Sequence, residues 1–237
     1  IPFGRPWITD EDRKAVLDVL NGHILTHGPQ GKGFEQDFVD LMGGGHAVAV
    51  SSCTAALHLA YFQMKLGPGD EVIVPAQTHN ATAHAVEMVG ARPVFVDSES
   101  QTGNIDVALI EASITPKTKA ISLVHFVGIP CDMDAVVAIA ERQGLRVVED
   151  CALALGARYR GKHVGLIGDA GCFSFYPVKH MTCGEGGMLT TNDAVLAQKV
   201  AQTKAFGYDR GLGERAKPGL YDVTALGYNF RMSELHA

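Results

Sequence analysis

The sequence predicts an α/β protein with a mainly parallel, mixed sheet and helices on both faces. Short apolar runs rich in β-branched residues alternate with helical patterns up to residue 150. This βαβα rhythm is typical of parallel sheets covered by helices. Apolar residues make up 46% of the 237 residues and charged residues 19%, as is usual for globular proteins. The length favours one large domain over two small ones.

The elements of the first 150 residues follow in a regular order. The first forty residues are expected to form an arm and a helix that lead into the domain. Strands are predicted at His46–Val50, Glu71–Pro75, 93–97, 120–125 and Arg146–Asp150. Helices are predicted between the strands, at 54–64, 81–89, 105–112 and Met133–Gln143.

The rhythm changes after residue 150. Short strand candidates at 156–159, 171–175 and Gly187–Thr191 are separated by glycine-rich turns. They predict a mixed edge of the sheet rather than another βαβ unit. A helix at 193–204 follows, and the glycine- and charge-rich stretch 207–218 is expected to be a loop.

Composition narrows the function classes. The net charge is −6 and no run of Lys or Arg occurs, which argues against a nucleic-acid partner. No apolar stretch has the length of a membrane span or the pattern of a signal peptide. The five cysteines lack metal-ligand spacing, so we expect reduced thiols, no metal site and a cytoplasmic protein. The sequence lacks an initial Met and ends inside a predicted helix, so we expect it to be incomplete.

Polar residues gather where the predicted strands end. They are the stretches 51–55, 77–80, 149–150 and 174–187. Ligands of open α/β sheets collect at the carboxyl ends of strands, so this convergence predicts a site. Small hydroxyl residues at a helix start suit a phosphate, because free N–H groups and the helix dipole point there, but they also suit an ordinary N-cap. Asp150 at a strand end suits a metal ligand, a cofactor partner or a cap.

Lys179 lies in the stretch Ser-Phe-Tyr-Pro-Val-Lys, which leads into a glycine-rich turn. Apolar neighbours can desolvate a lysine amine and make it nucleophilic. Composition alone favours the alternative, a lysine in a surface loop.

Several segments together resemble the DegT/DnrJ/StrS family of sugar aminotransferases, which are pyridoxal 5'-phosphate (PLP) enzymes of fold type I, the aspartate aminotransferase fold. The matching stretches keep the family order over nearly the whole chain and are 26–29, 52–57, 67–75, 90–97, 125–130, 132–134, 149–150, 174–179 and 227–232. The resemblance implies an N-terminal arm plus the large PLP-binding domain over residues 1–237. It also implies a small C-terminal domain that the sequence does not cover.

The resemblance implies two catalytic residues. Lys179 forms the internal aldimine with PLP and moves the proton between cofactor and substrate carbons. Asp150 pairs with the pyridine nitrogen and keeps it protonated, which makes the ring an electron sink.

The resemblance also implies cofactor-binding residues. Thr54 and Ala55 at the helix start hold the phosphate together with Ser174. His79 stands where the family has an aromatic ring stacked on the cofactor. Asn229 matches a residue that reaches the phosphate of the neighbouring subunit, which implies a homodimer with shared active sites.

Two positions depart from the family pattern. Leu153 stands where a Gln or His normally contacts the ring hydroxyl, and its side chain cannot make that hydrogen bond. Cys53 replaces the usual Gly before Thr54.

The expected reaction transfers an amino group from L-glutamate to a nucleotide-linked keto sugar in amino-sugar biosynthesis for cell-surface polysaccharides or antibiotics. Pyridoxamine phosphate (PMP) is the expected cofactor intermediate. A PMP-dependent sugar dehydratase is the first alternative, although that branch has His where Lys179 stands. A PLP-binding regulatory protein without catalysis is the second. A nucleotide-binding Rossmann domain is disfavoured, because no G-x-G-x-x-G follows the first strand.

Overall fold

A computed structural model describes residues 4–209, 217 and 220–237. Its strands are β1 (His46–Val50), β2 (Glu71–Pro75), β3 (Arg92–Val96), β4 (Thr118–Val124), β5 (Arg146–Asp150), β6 (Arg158–Tyr159), β7 (Lys162–His163), β8 (Ala170–Ser174) and β9 (Gly187–Thr191). Its helices are α1 (Asp10–Leu20), α2 (Pro29–Met42), α3 (Cys53–Gln63), α4 (Asn80–Met88), α5 (Val107–Ile110), α6 (Met133–Gln143) and α7 (Ala194–Thr203). Short 3-10 turns occupy Glu111–Ser113 and Phe126–Gly128.

Seven strands form one mixed sheet in the order β1-β9-β8-β5-β4-β2-β3. The strands from β8 to β3 pair in parallel, and β9 runs antiparallel to both of its neighbours. The ends of β1, β5 and β8 therefore meet the start of β9 at one edge of the sheet. The predicted mainly parallel, mixed sheet is confirmed.

Alternating residues of the central strands explain the helices on both faces. Val72 and Val74 of β2 pack into one apolar cluster with α3, α4 and α7, whereas Ile73 packs into a second cluster with α5 and α6. Successive strand residues point to opposite faces, so continuously apolar strands require a cover on each side. A third cluster joins α2 to Phe173 and Phe175 around β8.

The structure corrects the prediction for the strands after residue 150. The 156–159 candidate is reduced to β6, which pairs only with β7 in a separate two-stranded hairpin. The strands β8 and β9 do not form the sheet edge, because β9 is inserted between β1 and β8. The connection 175–186 turns the chain back so that β9 pairs with β8. Because β1 pairs with the other side of β9, β1 is the edge strand.

Two further predictions need correction. The first forty residues contain two helices, α1 and α2, where the sequence predicted one. The predicted helix at 105–112 is shorter, since α5 is followed by a 3-10 turn. Most of the predicted loop 207–218 lies outside the described residues. The division into an arm, a large domain and an uncovered small domain stays a prediction.

Within the described ranges, no helix combines the length and the apolarity that crossing a membrane would require.

Candidate active site

Asp150 stands at the carboxyl end of β5 and is 4% exposed. Its Oδ2 accepts a hydrogen bond from the Thr82 hydroxyl at 2.7 Å, and its Oδ1 accepts one from the Ala152 N–H at 3.0 Å. Oδ1 also faces the Cys53 thiol, whereas Oδ2 can accept a second hydrogen bond. Asp150 is thus held in place while Oδ2 keeps the capacity to accept a hydrogen bond from a ligand.

The sequence does not identify Thr82 as a site residue. It is fully buried on α4, and its hydroxyl lies 2.8 Å from the Thr78 hydroxyl. Because the Thr82 proton is donated to Asp150, the Thr78 hydroxyl donates to Thr82. The hydrogen bonds thus run from Thr78 to Thr82 and on to Asp150. The only sequence signal for them is a threonine on the apolar face of a helix, because buried polar side chains usually have a hydrogen-bond partner.

Cys53 connects the start of α3 to Asp150. Its thiol lies 3.4 Å from the Cys172 carbonyl oxygen and 3.9 Å from Asp150 Oδ1. Burial raises the pKa of the Cys53 thiol well above its usual value, and the charge of Asp150 raises it further, whereas the Lys179 ammonium opposes the rise. The Lys179 charge is therefore within electrostatic reach of the same buried corner.

The first turn of α3 provides backbone donors beside this corner. Ser52 is the N-cap, and its hydroxyl accepts the N–H of Ala55 at 3.1 Å. The N-cap interpretation is thus correct for Ser52. The first intrahelical bond of α3 runs from the Ala56 N–H to the Ser52 carbonyl. The N–H groups of Cys53 and Thr54 come before Ala56 and have no intrahelical acceptor, so they remain available to an anion.

Gly187 at the start of β9 permits the close approach of this turn. A Cβ at residue 187 would lie 2.6 Å from the Cys53 backbone nitrogen, which is closer than real side chains come. The absence of a side chain therefore lets β9 pack directly against the start of α3.

Lys179 lies on the connection between β8 and β9 and is partly buried. Phe175 anchors this connection: its N–H donates to the Gly186 carbonyl at 2.9 Å, and its ring packs 5.1 Å from the Phe34 ring. The Lys179 N–H donates to the Tyr176 carbonyl at 2.9 Å, which closes a tight turn at the lysine. The backbone is fixed at both ends, and the amine extends from the turn.

The remaining predicted residues surround this edge. Ser174 ends β8, and its hydroxyl accepts the Tyr176 N–H at 3.4 Å. His79 is the exposed N-cap of α4, and its Nδ1 accepts the Ala81 N–H at 3.2 Å. Leu153 is partly buried three residues after Asp150.

Asn229 is exposed on an extended segment beside β1, and its amide oxygen accepts a hydrogen bond from Arg231 at 3.0 Å. The structure does not bring it into contact with the predicted phosphate residues of its own chain.

A buried group of His125, Glu149 and Cys151 has donor atoms close enough to hold a metal. The His125 and Glu149 atoms of this group already have hydrogen-bond partners. His125 Nδ1 accepts the Cys131 N–H at 3.1 Å, so Nε2 carries the proton and donates to Glu149 at 3.0 Å. Both carboxylate oxygens also accept backbone N–H groups, from Gly165, Ile167 and Gly168. The group is therefore better explained as a structural network.

The geometry fits PLP. A pyridinium nitrogen requires a buried carboxylate with acceptor capacity, which Asp150 supplies. A phosphate requires backbone donors, and those of α3 lie adjacent, because the first residue of α3 contacts Asp150 through its thiol. Leu153 offers no partner for the ring hydroxyl.

Comparison with known proteins gives one consistent result. The profile of the DegT/DnrJ/EryC1/StrS aminotransferase family matches residues 6–237. Spore coat polysaccharide biosynthesis protein SpsC of Bacillus subtilis (strain 168) is 43% identical over 240 residues, which are 100% of this chain and 62% of SpsC. The chain thus spans less than two thirds of that relative.

Solved structures agree with this result. The aminotransferase from Psychrobacter cryohalolentis superposes with a TM-score of 0.94 at 40% identity, over 99% of this chain and 61% of that one. The putative sugar aminotransferase Spr1654 from Streptococcus pneumoniae in its PMP form gives a TM-score of 0.93 at 32% identity, over 100% and 65%. Its PLP form gives 0.91 at 32%, over 100% and 64%.

Proposed function

Because this chain belongs to the DegT/DnrJ/EryC1/StrS aminotransferase family, we propose that it is the cofactor-binding part of a PLP-dependent sugar aminotransferase. Its fold is that of the fold type I PLP enzymes. The observation that carries the proposal is the buried Asp150 carboxylate at the end of a central strand, in contact with the start of α3. The amino donor in the proposal is L-glutamate, and the acceptor is a nucleotide-linked keto sugar.

Residues of this chain would hold the cofactor at both ends. Asp150 would bind the pyridine nitrogen, and Lys179 would hold the cofactor through its amine. Thr54, Ala55 and Ser174 would bind the phosphate. The Ala55 N–H is already bonded to Ser52, so the Thr54 N–H is the better donor of the two.

His79 would cover one face of the ring, and Asn229 would reach the phosphate of a second copy in a homodimer. The exposed position of Asn229 supports the latter role, because it leaves the side chain accessible to a second copy. Bound PLP supplies an electron sink for the charge that develops when a substrate C–H bond breaks.

Lys179 is the proton carrier in the proposal. Its Nζ would accept the proton from the amino acid in the first half of the reaction and return a proton to the sugar carbon in the second. Asp150 would keep a proton at the ring nitrogen, because its buried negative charge stabilises a cation beside it. Thr82 and Ala152 keep the carboxylate oriented for that contact.

Lysine at residue 179 supports transamination over dehydration, because an amine can hold and exchange the carbonyl of the cofactor, which an imidazole cannot. The name of SpsC, a polysaccharide biosynthesis protein, supports a sugar acceptor.

The test is an absorbance spectrum of the full-length protein with PLP, before and after L-glutamate, for wild type, Lys179→Ala and Lys199→Ala. Lys199 is an exposed lysine on α7 and serves as the matched control. We expect the band of the lysine-bound cofactor in wild type and Lys199→Ala, bleached by glutamate, and its loss in Lys179→Ala. An unchanged band in Lys179→Ala would show that another group holds the cofactor.

Products are then identified by mass spectrometry with a panel of uridine and thymidine diphosphate 4-keto hexoses. Incorporation of the glutamate nitrogen supports the proposal. Loss of a sugar hydroxyl without nitrogen would indicate a dehydratase, and conversion of no sugar at all would indicate a binding protein without catalysis.

A further inference from the structure

Val127 has a backbone conformation that its side chain disfavours. Its φ is 45° and its ψ is 29°, in the left-handed region. Of the non-glycine residues with positive φ in the described ranges, it alone is β-branched; the others are His27, Lys65, Arg160 and Phe206. A β-branched residue in this region is a genuine outlier, and such strain persists only where the surroundings impose it.

Asn104 imposes the conformation from one side. It is 3% exposed, and its Oδ1 accepts the Phe126 N–H at 2.9 Å. Its Nδ2 donates to the carbonyl oxygens of Ile129 at 3.1 Å and Pro130 at 3.2 Å. One buried amide thus binds the chain before and after Val127.

His125 fixes the same turn to the predicted cofactor site. Its backbone N–H donates to the Asp150 carbonyl at 3.2 Å, and its ring is held by Cys131 and Glu149. Gly128 packs against the other side of the site, since a Cβ there would lie 2.9 Å from the Leu153 carbonyl oxygen. The turn 126–130 is therefore clamped beside Asp150 and Leu153.

The Val127 side chain packs into none of the apolar clusters that the described residues form, and it is 60% exposed. It follows β4 by three residues, on the carboxyl edge of the sheet, and its Cα lies within about 7 Å of that of His125. A buried polar clamp thus presents a strained, exposed isopropyl group on a turn that adjoins Asp150 and Leu153.

We infer that Val127 is a specificity-determining residue that contacts the sugar substrate. Its isopropyl group, on the turn whose Gly128 packs against the Leu153 carbonyl, forms an apolar surface against which the carbon face of the keto sugar packs. Strained residues that the surrounding structure holds in place cluster at active sites and ligand contacts. This inference rests on the proposed function, since the sugar is the acceptor of that reaction.

Two substitutions separate contact from strain. Val127→Gly relieves the strain, because glycine adopts positive φ readily, and removes the isopropyl group. Val127→Thr keeps the shape and the strain but replaces a methyl by a hydroxyl. Lys65→Gly is the matched control. Lys65 has φ 63° at the far end of α3, an 11-residue helix that spans about 16 Å.

The measurements are the melting temperature, KM and kcat for the 4-keto hexose of the panel that wild type converts best, and its dissociation constant by calorimetry. We expect the melting temperature of Val127→Gly to equal or exceed that of wild type. KM and the dissociation constant for the sugar rise about tenfold in both Val127 variants, with a smaller change in kcat. Lys65→Gly raises the melting temperature and leaves the kinetics unchanged.

Unchanged KM and dissociation constant in both Val127 variants, with normal wild-type turnover, would overturn the inference and leave the proposed function standing. A wild type that converts no keto sugar would instead overturn the proposed function, and this inference with it. A rise in KM for Val127→Gly alone would attribute the effect to loop flexibility and would also overturn the contact.

Discussion

Replacing Glu149 with glutamine is expected to destabilise the protein by about 4 kcal/mol, although the two side chains have nearly the same shape. The Glu149 carboxylate is fully buried and accepts four hydrogen bonds. Oε2 receives those of His125 Nε2 and Gly165 N, and Oε1 receives those of Ile167 N and Gly168 N. All four partners are donors, so the site requires two acceptor oxygens.

Glutamine offers one oxygen and one NH₂ group, and the NH₂ group must face two N–H donors. His125 cannot relieve the conflict by moving its proton, because its Nδ1 already accepts the Cys131 N–H. Two buried donors are left without an acceptor, at about 1–3 kcal/mol each. For a protein of this size, a loss of about 4 kcal/mol lowers the melting temperature by about 8–16 °C.

The assay is thermal unfolding followed by calorimetry, with urea unfolding as a second measure. Glu111→Gln is the matched control, because Glu111 makes an exposed ion pair with Arg142 at 2.8 Å. Such surface pairs contribute about 0–1 kcal/mol. A loss of stability in Glu149→Gln no larger than that in Glu111→Gln would refute the hydrogen-bond reasoning.

Two further predictions concern the close contact at Gly187 and the acid limb of stability. Gly187→Ala should cost about 1–3 kcal/mol and weaken PLP binding in a titration, because its Cβ would press on the backbone at the start of α3. Gly33→Ala, in open space on α2, should instead stabilise by about 0.5–1 kcal/mol. Burial lowers the pKa of His58 from its ordinary 6.5, so the unfolded chain takes up its proton first and stability falls as pH drops below about 6.5. His58→Phe keeps an aromatic ring beside Tyr228, and its melting temperature should fall less than that of wild type between about pH 8 and about pH 5. An equal fall would show that other groups cause the loss of stability in acid.

The sequence was informative wherever local chemistry determines position. Parallel strands put their carboxyl ends on one edge of the sheet, so the sequence alone places Asp150, Ser174 and the start of α3 there. Turn residues and caps also act locally, which is why the Ser52 cap was foreseeable as an alternative.

Features that depend on distant pairing could not be read from the sequence. The insertion of β9 between β1 and β8 is determined by register with strands far away in the chain, such as the pairing of Val50 with Gly187. Thr82 lies between two alanines on α4, and only the packed structure shows that its hydroxyl donates to Asp150. The strain at Val127 is likewise invisible, because Asn104, which imposes it, comes more than twenty residues earlier.

The two proposed catalytic residues differ in how firmly the protein holds them, and the proposed chemistry requires that difference. Asp150 must keep one relationship to a ring nitrogen, and its carboxylate, at the end of a central strand, is fixed by the Thr82 hydroxyl and by the Ala152 N–H. Lys179 must carry a proton between two carbon atoms, so its amine needs freedom while its backbone stays in place. The turn closed by Tyr176 meets both needs, because it fixes the Lys179 backbone and leaves the long side chain to move. A substitution that gave the Lys179 amine a fixed, buried hydrogen-bond partner would therefore slow the proton transfer, although it would order the side chain.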